Sequence, residues 1–232
     1  MTEAEWRACT DLKLMLKSLR NEASERKLRL FACACCRHFW ELLIDERSRA
    51  AVDVAERFSD GLIASEEVRA ALVSAMEATV AVRGSRSART EPAARLRCQH
   101  SPEMLWRAAA TAAFAASGDA AHVNAHVHGN EGLLVPYREQ ARLLRDIFGP
   151  LPFRPVSLRS QHLTPEIVAL ALSIYNDRAF DRLPRLADAL EALGCEAGAI
   201  LEHCRQPGTH VRGCWVVDFL LRKESTGRSW FP

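Results

Sequence analysis

A chain of 232 residues with 48 % hydrophobic residues is long enough to bury a substantial core and too apolar for wholesale disorder. Its formal net charge of +2 is too near neutral to imply nucleic acid or an anionic membrane as a partner. The longest nearly apolar run, Ala108 to Ala116, is about half of the ~20 residues that a membrane-spanning helix needs.

Helix signals are dense and strand signals nearly absent. Thr2 to Glu5 matches a capping box, in which a threonine oxygen and a glutamate reciprocally satisfy free backbone N–H groups. The opening Met1-Thr2-Glu3-Ala4-Glu5-Trp6 lacks the basic-then-apolar pattern of a secretory signal, which predicts a cytosolic location. Thr10 or Asp11 caps a second short helix with Leu12, Met15, Leu16 and Leu19 on one face. Ser24 caps a longer helix to about Leu43, with Leu28, Phe31, Ala32, Cys35, Phe39 and Leu42 at three- and four-residue spacing. Asp45 opens the next, which Gly61 is placed to end, and Ser65-Glu66-Glu67 starts another that runs to about Val82.

The pattern then stops. Residues 84–100 carry Arg86, Arg89, Arg95 and Arg97 and little apolar material, so they read as an exposed linker between subdomains 1–83 and 101–232. Ser101-Pro102-Glu103 restarts helical order, with a proline in the first turn where its missing N–H costs nothing. Tyr137 to Phe148 is amphipathic. The prolines of Gly149-Pro150-Leu151-Pro152-Phe153-Arg154-Pro155 forbid a helix and predict a surface strap anchored by Phe153. Helices follow from Thr164-Pro165-Glu166, over Leu183 to Leu193, from Ala197 to Arg205 and from about Val211 to Arg222. The expected fold is all-α, a multi-helix globular bundle of about nine or ten helices in two helical subdomains.

Chemistry-bearing residues crowd most closely between Cys195 and Trp215. Cys204, His210 and Cys214 could converge on a zinc ion across the Pro207-Gly208 turn, with Cys195 or His203 as a fourth ligand. His210 and Cys214 share a face if the last helix begins by His210. His203 and Cys204, adjacent on a helix, point about 100° apart and rarely serve one ion together. No pair here has the Cys-x-x-Cys knuckle spacing, and the competing expectation is simple packing of buried Cys and Trp. Cys33 and Cys36 do have that spacing, but they fall well inside an apolar helix, not at a helix N-terminus where the dipole would activate a thiol. All eight cysteines are expected as reduced thiols, with Cys33, Cys35 and Cys36 as core residues. His122, His126 and His128 lack the glutamate of a zinc-protease helix and read as a surface cluster.

Thirty-one basic residues include only four lysines (Lys13, Lys17, Lys27 and Lys223), a bias that fits a GC-rich coding sequence. Nucleic-acid binding through Arg83–Arg97 lacks the aromatic residues that usually support it. No phosphate loop, nucleophile elbow or paired-carboxylate motif is present, and His210 with Asp218 is the nearest approach to an acid–base pair. The leading expectation is a non-catalytic cytosolic protein-interaction module with a protein partner and no cofactor. A zinc-stabilised protein using Cys204, His210 and Cys214 is the alternative, and a nucleic-acid-associated helical protein a weaker one.

Several motifs carry a resemblance. They are Met1 to Trp6 with Cys9-Thr10-Asp11, Arg26 to Arg37, Leu143 to Gly149 with Pro152 to Pro155, Tyr175 to Leu190, and His210 to Asp218. Together they resemble a large paralogous family of planctomycete proteins that carries no assigned activity. The resemblance implies that a shared site would involve His210, Gly213, Cys214, Trp215 and Asp218.

Overall fold

The computed structural model describes residues 1–19, 23–84, 137–150 and 152–223. Among them stand ten α-helices and no strand, the all-α architecture that the periodicity predicts. In chain order they are α1 (Glu3–Ala8), α2 (Leu12–Leu19), α3 (Glu25–His38), α4 (Glu46–Ser59), α5 (Ser65–Gly84), α6 (Tyr137–Phe148), α7 (Pro165–Asp177), α8 (Leu183–Ala192), α9 (Gly198–Arg205) and α10 (Trp215–Leu220). The expected linker at 84–100 (from Ser85 on), the Ser101 helix start and the His122, His126, His128 cluster lie outside the described residues. None of the described helices is long and apolar enough to cross a membrane.

Side-chain caps start five of these ten helices where the sequence places them. The Thr2 hydroxyl accepts from the Glu5 N–H while the Glu5 carboxylate accepts from the Thr2 N–H at 2.7 Å. Asp11 accepts from the N–H groups of Lys13 and Leu14, Ser24 from Lys27, Asp45 from Arg47 and Thr164 from Ile167. Two ends differ from expectation. Helix α3 stops at His38 and gives way to a short 3-10 turn, Trp40–Leu42, instead of continuing to Leu43. Helix α10 begins at Trp215, not Val211, because Gly213 turns the chain through φ +95, a conformation an α-helix cannot contain.

The chain divides into two compact units, Met1–Glu22 with Ala141–Pro232, and Ala23–Gln140. In the first, Ile167, Ala171, Ile174 and Tyr175 of α7, Leu183, Leu186 and Leu190 of α8, Ile200 and Cys204 of α9 and most of α10 form one buried cluster. Arg145 of α6 donates to the carbonyl oxygens of Trp6 (3.3 Å) and Cys9 (2.8 Å), which ties α6 to the end of α1. The proline-rich strap after α6 is non-helical beyond a turn, and Phe153 packs on Trp6 with ring centroids 5.7 Å apart. In the second unit, α3, α4 and α5 pack through Leu30, Phe31, Cys33, Cys35, Cys36, Ala51, Ala55 and Ala75, all buried. There the buried Glu56 accepts from Arg37 Nε (3.2 Å) and Nη2 (3.1 Å), a two-point ion pair.

Candidate metal centre

Gly149 sets the geometry of the site. It ends α6 in the left-handed region (φ +54), its N–H returning to the Arg145 carbonyl at 2.9 Å. A Cβ at this position would lie 2.5–2.6 Å from the Trp215 indole, so only glycine lets the end of α6 come so close to the start of α10. The last turn of α6 therefore meets Cys214 and Trp215, and it carries Asp146.

Asp146, His203, His210 and Cys214 form a compact group. One ligand atom from each lies within 4.8 Å of all the others. It is the only group of three or more such residues among the described residues. Each member comes from a different segment: Asp146 from α6, His203 from α9, His210 from the loop after it, and Cys214 from the position before α10. The Asp146 and His203 side chains are 4 % and 11 % exposed, and that of His210 is 10 % exposed, so the group is screened from bulk water.

The contacts share atoms in a way that a neutral His210 ring does not satisfy. His203 Nε2 lies 3.1 Å from Asp146 Oδ1 and 3.2 Å from Cys214 Sγ, so one nitrogen faces two partners. His210 Nδ1 lies 2.6 Å from the same Oδ1, while His210 Nε2 faces the Gln206 carbonyl oxygen at 3.2 Å. Both ring nitrogens of His210 thus face oxygens that only accept. Nε2 must carry a proton, and the short gap between Nδ1 and Oδ1 must hold either a second proton or another cation. The other carboxylate oxygen, Oδ2, accepts from the Val211 N–H at 2.9 Å, which orients Oδ1 toward the cluster.

The electrostatics follow from these contacts. Burial alone would raise the Asp146 carboxyl, but the bonds and charges of His203 and His210 outweigh it and hold the group below its ordinary value. Burial lowers the His210 ring, yet its bond to Asp146 and that carboxylate's charge raise it overall. Burial, with the Asp146 charge added, pushes the Cys214 thiol well above the usual range. Without a cation Cys214 is a thiol, and a buried thiol is a poor nucleophile.

The donor set fits a borderline-soft divalent ion: two imidazoles, a sulfur and one carboxylate oxygen. With bonds of ~2.0–2.3 Å, tetrahedral ligand atoms stand about 3.3–3.8 Å apart. The observed contacts of 2.6–3.2 Å and the outer limit of 4.8 Å bracket that spacing.

Of the residues expected at a zinc site, His210 and Cys214 come together, through the Gly213 turn and not through a shared helix face. His203, weighed as a fourth ligand, joins them. Its neighbour Cys204 is not in the group. It is buried in α9, and burial pushes its thiol up to about 12. Cys195 is also buried in the apolar cluster. Asp146 has no counterpart in the sequence reading. Its only local signal is an acid at the edge of an apolar helix face, between the buried Leu143 and Ile147.

The cluster opens on a cleft of about 590 Å³ bordered by Trp6, Arg145, Asp146, His203, His210 and Trp215, among others. Burial pushes the Arg145 guanidinium below its usual value. Comparison with family models, curated proteins and solved structures finds no match for this chain.

Proposed function

We propose that this chain is a zinc-binding protein in which Asp146, His203, His210 and Cys214 hold the ion. The observation that carries this reading is the convergence of His203 Nε2 and His210 Nδ1 on Asp146 Oδ1, with Cys214 Sγ 3.2 Å from the first of them. A divalent cation would take the place of the proton between His210 Nδ1 and Asp146 Oδ1 and convert the buried thiol to a thiolate ligand. The Gln206 carbonyl and the Val211 N–H hold His210 and Asp146 in the orientations that ligation needs. Bound there, zinc would join the end of α6, α9 and the loop before α10. Its role is structural first, since four protein ligands fill a tetrahedral ion. The resemblance to the planctomycete family, whose pattern includes His210 and Cys214, supports the same place for a shared site.

Elemental analysis of purified full-length protein tests this. About one zinc per chain is expected, falling below ~0.2 in Cys214→Ser and in Asp146→Asn, with a lower melting temperature after chelation. A metal-free protein whose melting is unchanged by added zinc removes the reading.

A second reading, a protein-interaction module, is supported by α5. Val73, Met76 and Val80 are 53 %, 56 % and 71 % exposed and recur at three- and four-residue spacing, an apolar stripe facing solvent. A stoichiometric protein should then co-purify from the native host with the wild type and be lost with Met76→Glu. Purification without any such protein counts against it.

A further inference from the structure

The cleft beside the Asp146 group is lined by more arginines than carboxylates. Five arginines border it (Arg7, Arg142, Arg145, Arg154 and Arg205) against Glu3, Glu202 and Asp146. Arg205 is held by Asp188 (2.7 Å) and Glu191 (2.6 Å) outside the cleft, and Asp146 is taken by the two histidines. Arg7 and Arg154 share the single carboxylate of Glu3, at 2.6 and 3.0 Å.

Arg145, also in the lining, meets no acid. Its hydrogen bonds go to the carbonyl oxygens of Trp6 and Cys9, both through Nη1, and no carboxylate of the described residues pairs with it. A half-buried guanidinium without a counter-charge is costly unless something anionic comes to it. A guanidinium that lines a cleft and bonds only to carbonyl oxygens suits an acceptor that carries negative charge.

We propose that this cleft binds a small oxyanion-bearing molecule, a phosphate ester or a carboxylate, against Arg145 and Arg142 of α6. The guanidinium fork matches either group, and a cleft of about 590 Å³ has room for a compact metabolite around it. The shared wall of Arg7 and Arg154 adds a second positive edge. This inference stands without the zinc reading, because the arginine wall needs no metal.

Calorimetric titration of the full chain, stripped of metal, with inorganic phosphate and separately with acetate tests it. Saturable binding of one anion per chain is expected, weakened about tenfold by Arg142→Gln and at least as much by Arg145→Gln. Arg185→Gln, an exposed arginine of α8 outside the cleft, should leave it unchanged. Arg142 is exposed on α6, so its variant keeps the test valid where loss of Arg145's bonds to α1 disturbs folding. Tighter phosphate identifies an ester ligand, and tighter acetate a carboxylate. No saturable heat with either anion, or an equal loss in Arg185→Gln, overturns the proposal. Because zinc is absent from the assay, failure here leaves zinc stoichiometry as a separate result.

Discussion

Each unit of this protein buries a carboxylate beside a thiol, and the two are answered differently. In the second unit Glu56, 2 % exposed, lies near Cys36 and accepts two bonds from Arg37, whose charge is permanent. In the first unit Asp146, 5 % exposed, lies near Cys214 and meets two histidines, whose charge can leave. A guanidinium closes its site, because it supplies the cation and the geometry together. Imidazoles leave the identity of the cation open, to a proton or to a metal. Burial and cysteine content do not separate the two sites. The counter-group does.

Asp146→Ala should break the comparison most severely. It removes the oxygen on which both histidines converge and costs roughly 3–5 kcal/mol in the zinc-loaded protein, read by denaturant unfolding. Zinc stoichiometry should fall with it. If the variant keeps its zinc, the carboxylate is only a neighbour of the site. Gly149→Ala follows, with an expected cost of about 2–4 kcal/mol, because a side chain at φ +54 must also displace the Trp215 indole from 2.5 Å. That displacement reaches Cys214, the residue before Trp215, so zinc occupancy should drop as well. Normal stability in this variant would mean that α6 and α10 are not held as closely as the glycine implies.

The pH dependence sharpens the contrast further, with effects smaller than either substitution. The folded Asp146 carboxyl lies below its ordinary value, so its contribution is complete above the unfolded carboxylate range and is lost as pH falls through the folded value. The folded His210 ring lies above its ordinary value, so its contribution is complete below the unfolded histidine value and is lost as pH rises through the folded one. Metal-free protein should therefore lose stability as pH rises above the ordinary histidine value of about 6.5. Zinc-loaded protein should gain it over the same rise, because zinc requires His210 neutral and Cys214 ionised. Melting curves of the two forms with parallel slopes would remove the ion from His210.

Much of the fold is legible in the sequence because capping and periodicity are local. Thr2, Asp11, Ser24, Asp45 and Thr164 cap the helices they were expected to start. The angle between adjacent helical residues separates His203, which reaches the cluster, from Cys204, which does not. Asp146 was not legible, because its partners stand 64 and 65 residues away and nothing local distinguishes it from a solvated acid on an amphipathic helix. The start of α10 was misplaced for a related reason. Val211 to Leu220 is apolar enough to read as helix, but Gly213 takes a positive φ that lets His210 and Cys214 face inward together. Periodicity identifies the buried face of α1 and α2; it does not reveal that they belong to one unit with residues from Ala141 onward.

The smallest expected effect tests the other side of the comparison. Cys36 is fully buried on α3, and burial, with the nearby thiols adding, pushes its thiol well above the usual range, as at Cys214. If its neighbours make it filler, Cys36→Ala should cost only about 1 kcal/mol, the loss of one buried sulfur's contacts. Zinc stoichiometry should stay unchanged, since Arg37 already supplies the cation that Glu56 needs. Cys214→Ala removes the same atom from an equally buried place and should abolish metal binding. Were the two substitutions to act alike on zinc, in either direction, the counter-group would no longer explain why one buried thiol is chemistry and the other is packing.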